Sequence, residues 1–313
     1  MNPVLPEEAV EFGAAAAKAF AAVGGVDAAR RAEEEPAFRA ADVASALRAL
    51  GVDELDPRSD PDSLAAAATL CEAAGRAALP YPVPSVLLPD ADGRPFAVVP
   101  DGACRVDHGD LFAEWCVATL HGPTFVATSG SDRLATRLGP FVTDLTAGAD
   151  AGGRRAEVLH HLTLTSWQIL GTTDRAVELT VEHVNGRIQF GKPISAFQAV
   201  QFQLADAAVA VAGLRELAAF TLWRLATAPD DALADVLALR LHAIESARTV
   251  LRTCQQLHGA AGVCDEYDIS VLTRMAQPAL RLPFSAERAA EELAAAIGRD
   301  GFEGLFPHGG SPR

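Results

Sequence analysis

Apolar residues recur at helical spacing through roughly the first eighty residues of the chain. Alanine runs such as Ala65–Ala68 favour helix here, and aspartates that precede an apolar run can act as N-caps. The pattern predicts four helices. The first runs from Pro6 to Ala22, the second starts at about Ala28, the third runs from about Ala37 to Leu50, and the fourth runs from an N-cap at Asp60 or Asp62 to Ala78. The N-terminal part is therefore predicted to be a helical unit.

The helical spacing stops where the chain becomes rich in proline, between Leu79 and Asp92. Beyond this point, short apolar segments alternate with turns of glycine, proline and aspartate, which is typical of strands. The predicted strand segments are Phe96 to Val99, Cys116 to Leu120, Thr124 to Thr128 and Leu138 to Leu145. The middle of the chain is therefore predicted to be a small β-rich insert.

From Arg154 onward, apolar residues return to helical spacing over three long stretches. The first runs to about Arg187, and the third runs from a cap at Asp230 to His258, where glycines end it. The second has apolar residues spaced four, three, four and three apart, at Val200, Leu204, Ala207, Val211 and Leu214. With a last helix from about Ser285 to Ile297, this repeat predicts a bundle of four near-antiparallel helices.

These patterns together predict a mainly α protein with an N-terminal helical domain, a small middle β domain and a C-terminal four-helix bundle. The predicted boundaries are residues 1–88, 89–150 and 151–300, followed by a tail at 301–313. A length of 313 residues suits such a division better than one compact sandwich.

Composition narrows the classes of partner. The net charge is −15, from 26 lysines and arginines against 41 aspartates and glutamates. A surface of this charge repels polyphosphates, so nucleic acid is not expected as a partner. The first twenty residues have no basic n-region, and no stretch offers the roughly 20 apolar residues that span a membrane. We therefore expect a cytoplasmic protein without a membrane segment. Five widely spaced cysteines without a C-x-x-C pattern predict neither a disulfide framework nor a metal site.

General catalytic signatures are missing from the sequence, since G-x-S-x-G, Walker A, H-E-x-x-H and G-x-G-x-x-G do not occur. Two neighbouring histidines, His160 and His161, lie inside a predicted helix, where adjacent side chains point about a hundred degrees apart. They cannot chelate one metal together, so a role in the core or on the surface is predicted.

The segment between the first two long helices places a cation, an aromatic ring and an amide at one end of the predicted bundle. Gly191 and Pro193 break the chain, so Arg187 ends one helix and Gln198 lies near the start of the next. A guanidinium can grip a diphosphate through two parallel hydrogen bonds, and a helix N-terminus adds free N–H groups. An ordinary helix hairpin with a cationic C-terminal cap would show the same residues.

The motif R-x-x-F-G-x-P-I-x-x-F-Q-x-x-x-x-x-L-A-D, from Arg187 to Asp206, resembles a signature of the acyl-CoA dehydrogenase family. A second segment, from Gln256 to Gly262, is similar to the family's Q-x-H-G-G-x-G run. Glu266-Tyr267 and Arg274-Met275-Ala276 follow it, as E-x-x and R-D-A segments do in the family. The resemblance covers residues 154–298, which form the predicted bundle.

The resemblance implies an N-terminal helical domain, a middle β domain and a C-terminal four-helix bundle. It also implies the FAD-dependent oxidation of an acyl-CoA thioester to trans-2-enoyl-CoA. In that chemistry a glutamate removes the α-proton, while the β-hydrogen leaves as hydride to the flavin. By the family's pattern, five residues hold the diphosphate and adenosine end of FAD across a subunit interface: Arg187, Phe190, Gln198, Gln256 and Gly259.

The remaining positions of the family's site differ in this chain. Pro283 occupies the position of the usual glutamate, and proline can neither accept a proton nor donate a backbone N–H. Where members place the glutamate on the first bundle helix, the matching position here is His161, which makes it a candidate base. The T-E-P-x-x-G-S-D stretch that packs on the flavin ring has no counterpart in residues 90–150. The nearest segment is Thr128-Ser129-Gly130-Ser131-Asp132.

By this resemblance, the chain keeps residues that complete a neighbour's FAD site and lacks those that its own site needs. Short members of the family, found in actinobacterial sterol and steroid degradation, pair with a fuller homologous subunit as α₂β₂ heterotetramers. We therefore predict a subunit that completes a partner's FAD site, with an acyl-CoA substrate and an acceptor similar to electron-transfer flavoprotein. Two alternatives are a homo-oligomeric enzyme with its own FAD and an atypical base, and a structural paralogue without flavin.

Overall fold

The computed structural model describes residues 4–130, 138–152 and 155–300. Over these ranges the chain is mainly helical, with a small sheet between an N-terminal group of helices and a C-terminal bundle, which confirms the predicted fold class. Three parts of the predictions lie outside the described residues: the tail at 301–313, Arg154, and the last two residues of the segment Thr128–Asp132. The domain boundaries stay predictions.

The N-terminal helices follow from the alanine-rich pattern. In the described ranges they are α1 (Glu7–Val23), α2 (Asp27–Glu34), α3 (Ala44–Ala49), α4 (Pro61–Arg76) and α5 (Val83–Val86). Asp60 is the N-cap of α4, as predicted, because its carboxylate accepts the backbone N–H of Ser63 at 2.8 Å. A turn of π-helix, Arg39–Val43, precedes α3 where the sequence predicted one uninterrupted helix.

Five described strands form the middle sheet: β1 (Phe96–Val98), β2 (Arg105–Asp107), β3 (Glu114–Ala118), β4 (Thr124–Ser129) and β5 (Val142–Gly152). The order is β1-β3-β4-β5-β2, with β1 parallel to β3 and the other neighbours antiparallel. The sequence did not predict β2, because three residues are too few to show alternation. Trp115 anchors the sheet, since it is fully buried and its indole N–H donates to the Gly109 carbonyl at 3.1 Å.

A buried arginine joins the N-terminal helices to the sheet. Arg39 is 1% exposed, and its Nη1 donates to Asp110 Oδ1 at 3.0 Å. Its guanidinium carbon lies 4.2 Å from the centre of the Phe141 ring, and Nη1 is 3.1 Å from His108 Nδ1. Because a buried charge needs a partner and hydrogen bonds, these contacts fix the sheet against the helices.

The C-terminal bundle contains the long helices α6 (Arg155–Gly186), α7 (Gln198–Thr227) and α8 (Leu233–His258), together with α11 (Ala286–Asp300). A short hairpin of β6 (Ile188–Gln189) and β7 (Lys192–Pro193) joins α6 to α7, and α9 (Asp268–Met275) and α10 (Gln277–Arg281) precede α11. The predicted cap at Asp230 is wrong. Pro229 opens a separate 3₁₀ turn that contains Asp230, so α8 begins after Ala232.

Two glycines allow α4 and α6 to cross in backbone contact. A Cβ atom added to Gly75 would lie 1.9 Å from the Gln168 carbonyl oxygen, and one added to Gly171 would lie 1.9 Å from the Glu72 carbonyl oxygen. Real Cβ atoms do not approach oxygen this closely, so this crossing requires glycine on both helices.

Replacing Gly171 with alanine is therefore expected to lower the free energy of unfolding by about 3 kcal/mol or more, because the backbone of α4 must move. Gly186→Ala is the matched control, since a Cβ there would meet nothing within 4 Å. It should change the free energy of unfolding by less than about 1 kcal/mol. Urea unfolding of both variants measures the difference, and equal effects would contradict a backbone contact at Gly171.

Candidate functional site

The hairpin between α6 and α7 carries three of the predicted cofactor residues. Arg187 follows the last residue of α6, and its carbonyl accepts the backbone N–H of Ile194 at 2.9 Å. Phe190 lies at the tip of the hairpin with a φ of 53° and a side chain that is 92% exposed. Gln198 is the first residue of α7 and is also exposed. All three thus lie at one end of the bundle.

A histidine pair links this hairpin to the end of α8. The rings of His183 on α6 and His258 on α8 stack with their centroids 4.3 Å apart. Gln256 lies in the last turn of α8, and Gly259, with a φ of 63°, follows its last residue. The structure therefore brings all five predicted cofactor residues to the same bundle end, where each is exposed.

The chemistry of this bundle end suits a diphosphate beside an aromatic base. Arg187 and Lys192 supply positive charge, and the N–H groups of Gln198 and Ala199, which begin α7, have no backbone carbonyl partner among the described residues. The Lys192 Nζ lies 4.3 Å from the centre of the Phe197 ring, which Phe190 contacts edge to face at 6.2 Å. The residues present therefore fit the diphosphate and adenine part of FAD on one side.

A separate cleft lies between α5, β2, α6 and the chain that joins α10 to α11, and its cavity measures about 80 Å³. His161 and Pro283, the two positions where the sequence departs from the family's glutamate, both line it, together with Tyr81, Ser85, Asp107 and His108. Small-molecule sites typically enclose roughly 300–1,000 Å³. The cavity therefore does not fit a three-ring flavin.

His161 lies partly buried in the wall of this cleft. Its Nε2 lies 3.2 Å from the Ser85 hydroxyl oxygen, and the Phe96 ring contacts it edge to face with centroids 6.0 Å apart. Nδ1 has no hydrogen-bond partner among the described residues. Burial, and then the charge of Arg240, lowers the pKa of His161 to about 3. A general base works best with a pKa near the operating pH, so His161 is poorly matched to that role.

A buried arginine holds the backbone beside Pro283. Arg240 on α8 is fully buried, and its Nη2 donates to the carbonyl oxygens of Ala279 and of Leu282, the latter at 2.7 Å. Its Nε and Nη1 have no partner within the part of the chain that the structure describes. Burial lowers the pKa of Arg240 to about 9, so the guanidinium is still charged at neutral pH.

Sequence reasoning missed one carboxylate in the cleft. Asp107, at the end of β2, accepts the backbone N–H of His108 at 3.1 Å, and about a third of its side chain is exposed. Burial raises the pKa of Asp107 to about 7. The adjacent Asp-His pair is the only signal in the sequence, and it is informative only because β2 and α6 line the same cleft. A carboxyl group in this range can both hold and release a proton near neutral pH.

Acid should destabilise the fold through His161. Its pKa of about 3 is below the ordinary value of 6.5, so the unfolded chain binds the proton more readily. Stability is then complete above pH 6.5 and falls as the pH drops toward 3. At pH 5 the expected loss relative to His161→Gln is roughly 2 kcal/mol. Urea unfolding of both proteins at pH 7 and pH 5 tests this, and parallel pH profiles would contradict it.

The other predicted features have simple structural accounts. His160 is buried, and its Nδ1–H donates to the Ala156 carbonyl at 2.7 Å, as expected of a core histidine. The five cysteines are free thiols, and no cluster of three metal-ligating side chains occurs in the described ranges. Of the helices described, none alone is long and apolar enough to cross a membrane, although the bent pair of α1 and α2 passes that test on length and composition.

Comparison with known proteins supports the resemblance. Residues 157–281 match the family model for the acyl-CoA dehydrogenase C-terminal domain. The acyl-CoA dehydrogenase IpdE2 of Mycobacterium tuberculosis is 33% identical over 113 residues, which cover 36% of this chain and 34% of IpdE2. The matches to the first three curated relatives span only 28% to 34% of the length of each relative.

Solved structures share the fold over nearly the whole chain. The ChsE4-ChsE5 complex from Mycobacterium tuberculosis contains a chain with a TM-score of 0.77 at 19% identity, covering 96% of this chain and 99% of that one. A variant of the Tcur3481-Tcur3483 steroid ACAD gives a TM-score of 0.78 at 21% identity, covering 93% and 98%. Residues 157–281 are thus similar to the C-terminal domain of acyl-CoA dehydrogenases, and the fold of the described chain is that of these solved structures.

Proposed function

We propose that this chain is a subunit of an acyl-CoA dehydrogenase and that it completes the FAD site of a partner subunit. The observation that carries the proposal is the contrast between its two half sites. The bundle end exposes five residues suited to a diphosphate and an adenine, whereas the chain's own cleft encloses only about 80 Å³. A group held only by exposed residues on one side needs a second protein wall, and that wall belongs to the partner.

In this proposal the residues of the bundle end bind and orient the cofactor. Arg187 would hold the diphosphate, the N-terminus of α7 would add N–H donors, and Phe190 would pack against the adenine. Gln198 and Gln256 add neutral hydrogen bonds, and Gly259 lets the backbone come close. When bound, FAD supplies the acceptor for the hydride of the substrate.

We propose a bulky, steroid-derived acyl-CoA as the substrate, in an α₂β₂ assembly with a fuller homologous subunit. Two of the structural neighbours are named as a two-protein complex and as a steroid ACAD, which supports this choice. The electrons would pass to an acceptor similar to electron-transfer flavoprotein.

Flavin content tests the proposal directly. The chain purified alone is expected to bind FAD poorly, because half a site offers too little to offset the immobilisation of a large ligand. Co-expression with the homologous chain that accompanies it in the native host should yield a yellow complex with one FAD per heterodimer, measured by its absorption spectrum. Stoichiometric FAD in the chain alone would contradict the proposal, and a complex that never binds flavin would favour the structural paralogue.

A second candidate, a homo-oligomeric enzyme with an atypical base, is favoured by Asp107. This carboxylate lines the cleft, and its pKa of about 7 suits proton transfer near neutral pH. Asp107→Asn distinguishes the two. Loss of turnover in the chain purified with its own FAD would support the second candidate, whereas unchanged turnover of the heteromeric complex would support the first.

A further inference from the structure

A larger cavity lies outside the bundle, where the N-terminal helices meet the chain that leads into the sheet. It measures about 480 Å³, which is within the range of roughly 300–1,000 Å³ that is typical of small-molecule sites. Its walls come from α3, the 3₁₀ turn Val52–Glu54 and the residues after it, the segment between α4 and β1, and Phe112 before β3. None of the described residues that line it belongs to α6, α7 or α8, so it is separate from the proposed cofactor site.

Most of the cavity wall is apolar. Phe112 meets Tyr81 edge to face, with ring centroids 6.3 Å apart, and Trp115 contacts Phe112 in the same way at 5.5 Å. The aliphatic side chains in the wall are Leu47, Val52, Leu55 and Val86. Aromatic rings beside aliphatic side chains form a surface on which the rings of a mainly apolar ligand can pack.

Tyr81 presents an unpartnered hydroxyl group to this cavity. The residue is only 8% exposed, and its hydroxyl makes no hydrogen bond among the described residues. The ring also borders the smaller cleft of His161, but the charges that act on the hydroxyl are those of Arg48 and Asp53, which both line the larger cavity. Because buried hydroxyl groups normally have a partner, we expect the occupant of this cavity to supply one.

Arg48 provides a second hydrogen-bond donor near this hydroxyl. It is exposed on α3 and forms no ion pair within the part of the chain that the structure describes. Burial raises the pKa of Tyr81, so its hydroxyl stays protonated near neutral pH and donates as well. Two donors that reach one point select a ligand with an oxygen acceptor there.

The remaining charges favour a neutral ligand. Asp53 and Glu54 are exposed at the cavity. Arg58 is already paired, since its Nε lies 2.7 Å from Asp56 Oδ1. These carboxylates, in a chain with a net charge of −15, repel a free anion, and a cation would meet the unpaired charge of Arg48. A ketone oxygen accepts hydrogen bonds without carrying a charge, so it meets both conditions.

We propose that this cavity binds a neutral, mainly apolar ring compound whose ketone oxygen accepts hydrogen bonds from Tyr81 and Arg48. The rings of the ligand pack against Phe112 and the aliphatic wall. The site shares no residue with the bundle end, so the chain can bind this ligand whether or not it completes a partner's FAD site.

Two probes that differ by one oxygen test the site on the purified chain by equilibrium dialysis. Benzophenone has two rings joined by a ketone, and diphenylmethane has the same rings without the oxygen. Tyr81→Phe removes only the hydroxyl, so it should weaken benzophenone binding about five- to tenfold and leave diphenylmethane binding within about twofold of the wild type. Tyr267→Phe is the matched control and should change neither, because Tyr267 is 47% exposed and lies outside the cavity.

A cavity-filling variant locates the site independently. Val86→Trp should weaken the binding of both probes at least about tenfold, because the indole occupies the space of their rings. The ratio of the two dissociation constants does not depend on the fraction of folded protein, so a partly unfolded Tyr81→Phe variant still gives a decisive result.

Unchanged benzophenone binding in Tyr81→Phe or in Val86→Trp would overturn the site, as would a lack of saturable benzophenone binding by the wild type. Tighter binding of para-benzoylbenzoate, which adds a carboxylate to the same rings, would overturn the assignment of a neutral ligand.

Discussion

Replacing Arg187 with alanine is expected to weaken FAD binding by the heteromeric complex roughly 10- to 100-fold while leaving the melting temperature nearly unchanged. A hydrogen bond to a charged group contributes about 1.5–3 kcal/mol, which is the source of this range. Arg187 is exposed and follows the last residue of α6, so its truncation leaves no buried cavity. Equilibrium titration of the stripped complex with FAD and thermal unfolding measure the two quantities separately.

The two glutamines provide graded controls for this experiment. Gln198→Ala and Gln256→Ala each remove one neutral hydrogen bond, so each should weaken FAD binding only about two- to tenfold. If Arg187→Ala kept full flavin occupancy and melted at a much lower temperature, the arginine would be a structural cap of α6. The contrast between cofactor loss and stability loss separates the two roles.

Removing the catalytic glutamate of the partner subunit is expected to lower turnover by roughly 10²- to 10⁴-fold, whereas His161→Ala in this chain should keep turnover within about tenfold. Pro283 cannot accept a proton, and His161, partly buried in the cleft wall, has a pKa of about 3. The base of an active complex is therefore expected on the other chain. Steady-state dehydrogenation assays with matched flavin content measure both effects.

His161→Gln accompanies the alanine variant, because an amide can still reach the Ser85 hydroxyl if a smaller side chain prevents folding. A large loss of turnover in both His161 variants, with flavin and substrate binding intact, would show that this chain carries its own base. The homo-oligomeric candidate would then take first place. Asp107→Asn would be the next variant to assay, because Asp107 lines the same cleft.

Long periodic segments and helix caps could be predicted from the sequence because their causes are local. The Asp60 cap needs only a carboxylate placed before Pro61 and Ser63. The buried side of α7, which includes Ala207, Val211 and Leu214, needs only the repeated spacing of apolar residues. The five cofactor residues also meet at one bundle end, because α6, α7 and α8 alternate in direction around short connections. Their role in binding FAD stays a prediction.

The features that escaped sequence reasoning depend on contacts between distant residues. The three-residue strand β2 exists because β5 offers it a partner, and Asp107 reaches the cleft because β2 lies there. The prediction of a cap at Asp230 was wrong because Pro229 begins a separate 3₁₀ turn before α8. The π-helical turn before α3 coincides with Arg39, whose partners His108 and Asp110 lie about seventy residues away, in the connection between β2 and β3.

The hydrogen bond from Arg240 to the Leu282 carbonyl limits how this chain could change over evolution. A glutamate introduced at position 283 would follow the residue whose carbonyl this buried guanidinium holds, and a positive charge so near would lower the pKa of the new carboxyl group and make it a weak proton acceptor. A working base at position 283 would therefore take at least two coordinated changes, the second at Arg240 itself. Under the proposed function, a single substitution at position 283 leaves the chain dependent on its partner for the base.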